Sequence, residues 1–225
     1  MPLEAKIMRR LQQELEAVED RTPRDGQPVR EQRDIVRGPR LLDDARRLVA
    51  RVDELAGSGV VAQAMDREAL ELACFTVQLP LKYVQPNSTR LGVLSLRDRC
   101  EQSAELMVMA LAELAPDDLL DRAARLIHET PQRNPVLDEA KLLADAINLD
   151  DFGVASLFRQ AISLALHGQG VNQLIESIEK RREYGYLDAR LKDGFHFEAS
   201  RQIARKRMES ALPVIDALLK EYRGE

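Results

Sequence analysis

Three histidines, His128, His167 and His196, and the acids Asp145, Asp150 and Asp151 are the residues of this chain best suited to proton transfer, phosphate binding or metal chemistry. An imidazole or a carboxylate does such work only where the fold gathers several donors around one point. No local motif does that gathering: the chain holds no H-E-x-x-H, C-x-x-C, G-x-G-x-x-G or G-x-x-x-x-G-K-[ST] run, and no G-x-S-x-G elbow. His128 closes a helical segment, where it serves either to bond terminal carbonyls or to meet a ligand phosphate. His167 before Gly168 and His196 between Phe195 and Phe197 read as helix-end and loop residues. Asp145 interrupts an apolar helix face, either as a buried, poised acid or as a tie between helices. Asp150 and Asp151 read as N-caps for the segment that follows. Gln78 stands in an apolar segment before Pro80, where burial demands hydrogen-bond partners or a residual cavity. Met107 and Met109 read as core filling.

The elements that must position these residues are helices. Leu3, Ile7, Leu11, Leu15 and Val18 form a first amphipathic stripe. Residues 21–40 carry Pro23, Gly26, Pro28, Gly38 and Pro39 among arginines and read as a linker, with either a solvated role or an acidic partner. Residues 1–40 are therefore set apart as a helix plus linker, and 41–225 as one domain. A second stripe runs from Leu41 to Leu55 and stops at Gly57-Ser58-Gly59. Asp66 caps a third helix through Phe75 to about Leu79, and Pro86-Asn87-Ser88 marks the loop after it. Ser95 with Asp98 opens a capping box, Pro116 opens the helix 117–129, and further helices follow at about 136–147, 152–167 and 171–183. After a short turn beyond Tyr184-Gly185-Tyr186, a last helix over 197–222 contains Pro213, which should kink it. No two-residue alternation and no long repeat is present. The reading is an all-α chain of seven to nine helices.

Composition agrees. Of 225 residues 44% are hydrophobic, 4% aromatic and none is Trp, which suits helices better than an aromatic-rich sheet. A net charge of −5 argues against general nucleic-acid binding, which needs a basic surface. The longest apolar run, Leu106–Ala112, is far short of the ~20 residues that span a bilayer, so no membrane contact is expected. Cys74 and Cys100, in helical patterns, are expected as reduced thiols of a cytoplasmic protein.

The run from Glu139 to Gly153, EAKLLADAINLDDFG, resembles a helix of the HD-domain superfamily of metal-dependent phosphohydrolases, which commonly reads E-A-K-[IL]-[LV]-x-D-A-D-x-L-D-x-x-G. Asp145, Ala146, Leu149, Asp150 and Gly153 fall in step. The tail, with Tyr186, Leu191, Ala199, Arg201, Ile203, Ala204 and Arg207, is similar to the closing helices of one bacterial branch. Residues 68–79 look like the helix ending in the family's His-Asp pair, and His128 sits where a pocket histidine would be. The likeness covers roughly residues 41–222, by helix order more than by identity.

The resemblance implies an HD-like fold, and the departures imply a lost centre. Helix 41–56 has no histidine, the His-Asp positions read Val77-Gln78, and the metal-binding Asp falls at Ile147. Val and Ile supply no donor to a divalent ion. The expectation is a binding or regulatory module with no metal, its old pocket near Gln78, His128, Asp145 and Asp150 taking a small phosphorylated or polar ligand. Its N-terminal helix would dimerise or dock a partner. Two alternatives stand beside it: an active phosphohydrolase that holds Mn, Fe, Ni or Zn through an atypical ligand set, and an unrelated all-α interaction scaffold.

Overall fold

The computed structural model describes residues 3–16, 31–61, 65–82, 95–166 and 169–225. Among the described residues, helical periodicity becomes ten α-helices: α1 (Ala5–Glu16), α2 (Glu31–Gly57), α3 (Arg67–Thr76), α4 (Leu96–Leu111), α5 (Asp117–Glu129), α6 (Asp138–Asn148), α7 (Val154–Leu166), α8 (Val171–Glu183), α9 (Tyr186–Asp193) and α10 (Glu198–Arg223). Short 3-10 turns lie at Leu79–Lys82 and Leu149–Asp151, and no strand occurs among the described residues. The tenth helix beyond the expected range is α9, eight residues where sequence suggested a single turn. Pro23, Gly26, Pro28, His167 and the Pro86-Asn87-Ser88 loop lie outside the described residues.

Local signals set several boundaries. The Asp66 carboxylate accepts the Ala69 amide at 3.0 Å. The Ser95 hydroxyl accepts the Asp98 amide at 3.1 Å and donates to the Asp98 carboxylate at 2.7 Å. Pro116, which has no amide hydrogen to leave unpaired, precedes α5.

Other boundaries differ from the sequence reading. α2 starts at Glu31 rather than Leu41, so residues 31–40 are helical backbone and not a linker. Proline's fixed φ is itself helical, and Pro39 forfeits one bond without ending the helix. α3 stops at Thr76, and Leu79 and Pro80 enter a separate 3-10 turn, in keeping with the bias against helix before proline. α10, by contrast, contains Pro213 as the sequence reading has it. Asp150 and Asp151 belong to the 3-10 turn rather than capping α7, which starts after Gly153 at φ +96°. Met107 is buried as expected, but Met109 is 79% exposed.

The chain divides into two compact units, one of Met1–Glu54 with Val61–Leu143, the other of Leu55–Val60 with Ala144–Glu225. In unit one, α3 and α4 pack on α5, and α1 lies against α4 and the Leu79–Lys82 turn. Ile7, Leu11 and Leu15 are fully buried there, and Glu14 pairs with Lys82 at 2.9 Å. These residues of the first stripe are thus buried inside unit one, while Val18 lies outside the described residues. Cys74 and Cys100 are buried free thiols. Burial pushes the Cys100 thiol up to about 11 and Cys74 higher still, so neither is a ready nucleophile at neutral pH.

In unit two, α7 packs on α8 and α10, and α9 on α8 and α10. The core is Leu164, Leu174, Ile175, Ile178, Ala211, Ile215 and Leu219. Phe152 and Phe195 stack at a tilt, 5.5 Å between centroids, beside the segment that precedes α10.

Candidate functional site

The four residues singled out by sequence fall in different units and different chemical situations. Gln78 is 5% exposed in unit one, after α3. His128 lies on the exposed side of α5, while Leu119, Leu120, Ala123, Leu126 and Ile127 form the buried stripe of that helix. A histidine turned to water at a helix end needs no ligand to explain it.

Asp145 and Asp150 belong to unit two. Asp145 is fully buried, and its two carboxylate oxygens accept the backbone amides of His196 at 2.8 Å and Phe197 at 3.0 Å. Burial pushes its pKa up, against the opposing pull of the His196 amide, the nearby Ser200 hydroxyl and the Phe197 amide. Ser200 Oγ lies close enough to act on the charge without a bond of ordinary geometry. This carboxylate is therefore a tie between α6 and the segment leading into α10. Asp150 pairs with Arg159 at 2.9 Å, and its carbonyl takes a second guanidinium N–H at 3.0 Å.

Sequence reasoning missed the network that continues from this tie. The Asn148 amide donates to the Gly194 carbonyl, and Arg190 donates to the Asn148 side-chain oxygen. Arg190 also pairs with Asp151 at 3.0 Å, and the Tyr186 hydroxyl donates to the same Asp151 oxygen at 3.1 Å. Burial and the neighbouring Asp151 charge hold the Tyr186 phenol above its ordinary pKa, so it stays a donor. Arg201 bonds the carbonyls of Leu191 at 3.0 Å and Phe195 at 3.1 Å. It holds the α9–α10 connection.

Gly194 sits at the centre of that connection. A Cβ built on it would lie 2.5 Å from the Arg190 carbonyl oxygen, a backbone atom that cannot swing aside. Gly194→Ala is expected to cost about 2 kcal/mol in urea unfolding. Gly57→Ala is the control: nothing lies within 4 Å of its Cβ position at the end of α2, and it should be neutral or slightly stabilising. Equal losses in the two variants would show that the close approach is not what requires glycine at 194.

The network borders a cleft of about 200 Å³ lined entirely from unit two. Its floor is apolar, with Leu157, Ile178, Met208, Leu212 and Ile215, and its rim carries Asp151, Asp188, Arg181 and Arg182. Asp151 is held by Arg190 and Tyr186, and Arg182 pairs with Asp216 at 2.8 Å. Arg181 lies over the Tyr186 ring, 5.0 Å from its centroid. None of Gln78, His128, Asp145 and Asp150 lines this cleft. Nothing short-range marks it in the sequence, because its walls come from positions between Asp151 and Ile215 on four helices.

Among the described residues no three His, Cys, Asp or Glu side chains come together in a way that could hold a metal ion, and no helix is long and apolar enough to cross a membrane. No family model, curated protein or solved structure matches the chain.

Proposed function

We propose that this chain is an HD-like helical domain whose hydrolytic centre has been lost and which works as a binding or regulatory module for a small polar or phosphorylated molecule. The observation that carries this reading is the condition of Asp145. A fully buried carboxylate whose two oxygens each accept a backbone amide has a structural role. The residues at the metal-binding positions the resemblance implies, Val77, Gln78 and Ile147, add no ionisable donor. The cleft of unit two gives such a module a concave, mainly apolar surface with a few polar groups at its edge, the usual make-up of a small-molecule site.

Elemental analysis of protein purified without chelator tests the reading, together with phosphatase assays on the full chain. The expected result is metal far below one equivalent and no turnover above buffer. Because His128 is exposed and outside the core, His128→Ala is expected to change stability by less than about 0.5 kcal/mol and to change no activity. Stoichiometric Mn, Fe, Ni or Zn, with hydrolysis abolished by His128→Ala, would replace this reading with the active phosphohydrolase.

A further inference from the structure

We infer that the cleft formed by α7, α8, α9 and α10 binds a small amphipathic monoanion, an aliphatic or aryl chain ending in a carboxylate or a similar oxyanion, with the Arg181 guanidinium as its head-group contact. This gives the binding-module reading a site and narrows its small polar ligand to one that carries an apolar tail, and it rests on that reading for its biological purpose.

Size comes first. An apolar cavity of about 150 Å³ holds benzene, so a cleft of about 200 Å³ takes on the order of ten heavy atoms. An eight-carbon acid or a phenyl-substituted short acid is of that size. The floor excludes a fully polar occupant, because covering Leu157, Ile178, Leu212 and Ile215 with a hydrated sugar or inorganic phosphate recovers no apolar contact.

Charge decides the head group. Four charged side chains reach the rim, and two are already neutralised inside the unit: Asp151 by Arg190 at 3.0 Å, and Arg182 by Asp216 at 2.8 Å. Arg181 and Asp188 remain, with no ion pair among the described residues. Asp188 is exposed, so water screens it, whereas Arg181 is half-buried. The Arg181 guanidinium carbon lies over the Tyr186 ring, 5.0 Å from its centroid, a contact that uses none of its N–H groups in an ion pair. A planar fork held in that way matches the two oxygens of a carboxylate. Tyr186 is itself anchored through its hydroxyl to Asp151 at 3.1 Å, so the contact point is rigid before anything binds.

The test uses the full chain labelled at its Ile and Leu methyl groups, with three eight-carbon probes titrated by NMR: octanoate, octan-1-ol and octylamine. Octanoate is expected to shift the methyls of Ile178, Leu157 and Leu212 with a Kd on the order of 1 mM. Octan-1-ol should shift the same methyls about tenfold more weakly, and octylamine more weakly still. Arg181→Gln should weaken octanoate about tenfold and leave octan-1-ol unchanged, and Arg181→Lys should fall between. Thermal melts confirm that both variants fold.

Octylamine binding tighter than octanoate, and losing that advantage in Asp188→Asn, would overturn the anion assignment. Octanoate binding indifferent to Arg181→Gln would overturn the head-group contact, and unshifted floor methyls at saturating probe would overturn the cleft as a site. The two readings fail separately. A stoichiometric metal with hydrolytic activity, alongside Arg181-dependent octanoate binding, removes the module reading and supports the cleft. A metal-free, inactive protein that ignores octanoate removes the cleft alone.

Discussion

Asp145→Ala is expected to lower the unfolding free energy by about 4 kcal/mol, a fall in Tm of roughly 8–16 °C for a chain of this length. The alanine leaves the amides of His196 and Phe197 without the acceptor that now satisfies both. Asp145 is fully buried, so water does not take its place without opening the segment that enters α10. Asp145→Asn is the informative partner. Its oxygen still accepts one amide, while its NH2 group faces the other, so a loss of about 1 kcal/mol is expected. A loss under 1 kcal/mol for the alanine variant would show that the two bonds do not hold the segment.

The pH dependence of that pair carries a sign. Burial raises the Asp145 pKa above the ~3.9 of an unfolded aspartate. Between the unfolded and folded values, the native chain keeps a proton that the unfolded chain has released. The unfolded state then binds fewer protons, so stability falls as pH rises through that window. Asparagine has no such transition. The gap in stability between the parent and Asp145→Asn should therefore narrow as pH rises above about 4. A gap that widens would mean that the two amides outweigh burial and hold the carboxyl down.

What could be read from sequence follows the range of the forces involved. Helix stripes such as Leu41–Leu55 and caps such as Asp66 and Ser95 are set by residues within four positions of each other, and they fall where the periodicity places them. Pro39 misleads because a proline whose φ is already helical need not end the helix around it. Asp145 is visible as an anomaly, a charge on an apolar face, but its two amides lie 51 and 52 residues away. Sequence therefore left the poised acid and the structural tie both open. The Arg190–Asn148 bond spans 42 residues and neither partner is unusual in its own segment. The cleft is harder still, since it is a space left between four helices and no residue type announces a space.

The first helix shows the same limit from the other side, because its stripe was legible and its partner was not. An amphipathic helix ahead of a proline-rich, arginine-rich stretch suits docking to another chain as well as to its own. In the fold Leu11 is fully buried between Ile7 and Leu15, on a helix that lies against α4 and the Leu79–Lys82 turn. The Glu14–Lys82 pair, with the Lys82 side chain only 10% exposed, fixes the register of that packing. Leu11→Ala removes a side chain with no exposed surface, and large-to-small changes at such sites cost 2–5 kcal/mol; about 3 kcal/mol is expected here. Gln13→Ala, on the exposed side of the same helix, should stay within about 0.5 kcal/mol. Sedimentation separates the two roles of the stripe. If it packs only within its own chain, Leu11→Ala destabilises the protein while the sedimenting mass stays that of the parent at every concentration. If it joins two chains, the variant's mass halves and the stability loss shrinks on dilution, because the parent loses the same contact as it dissociates.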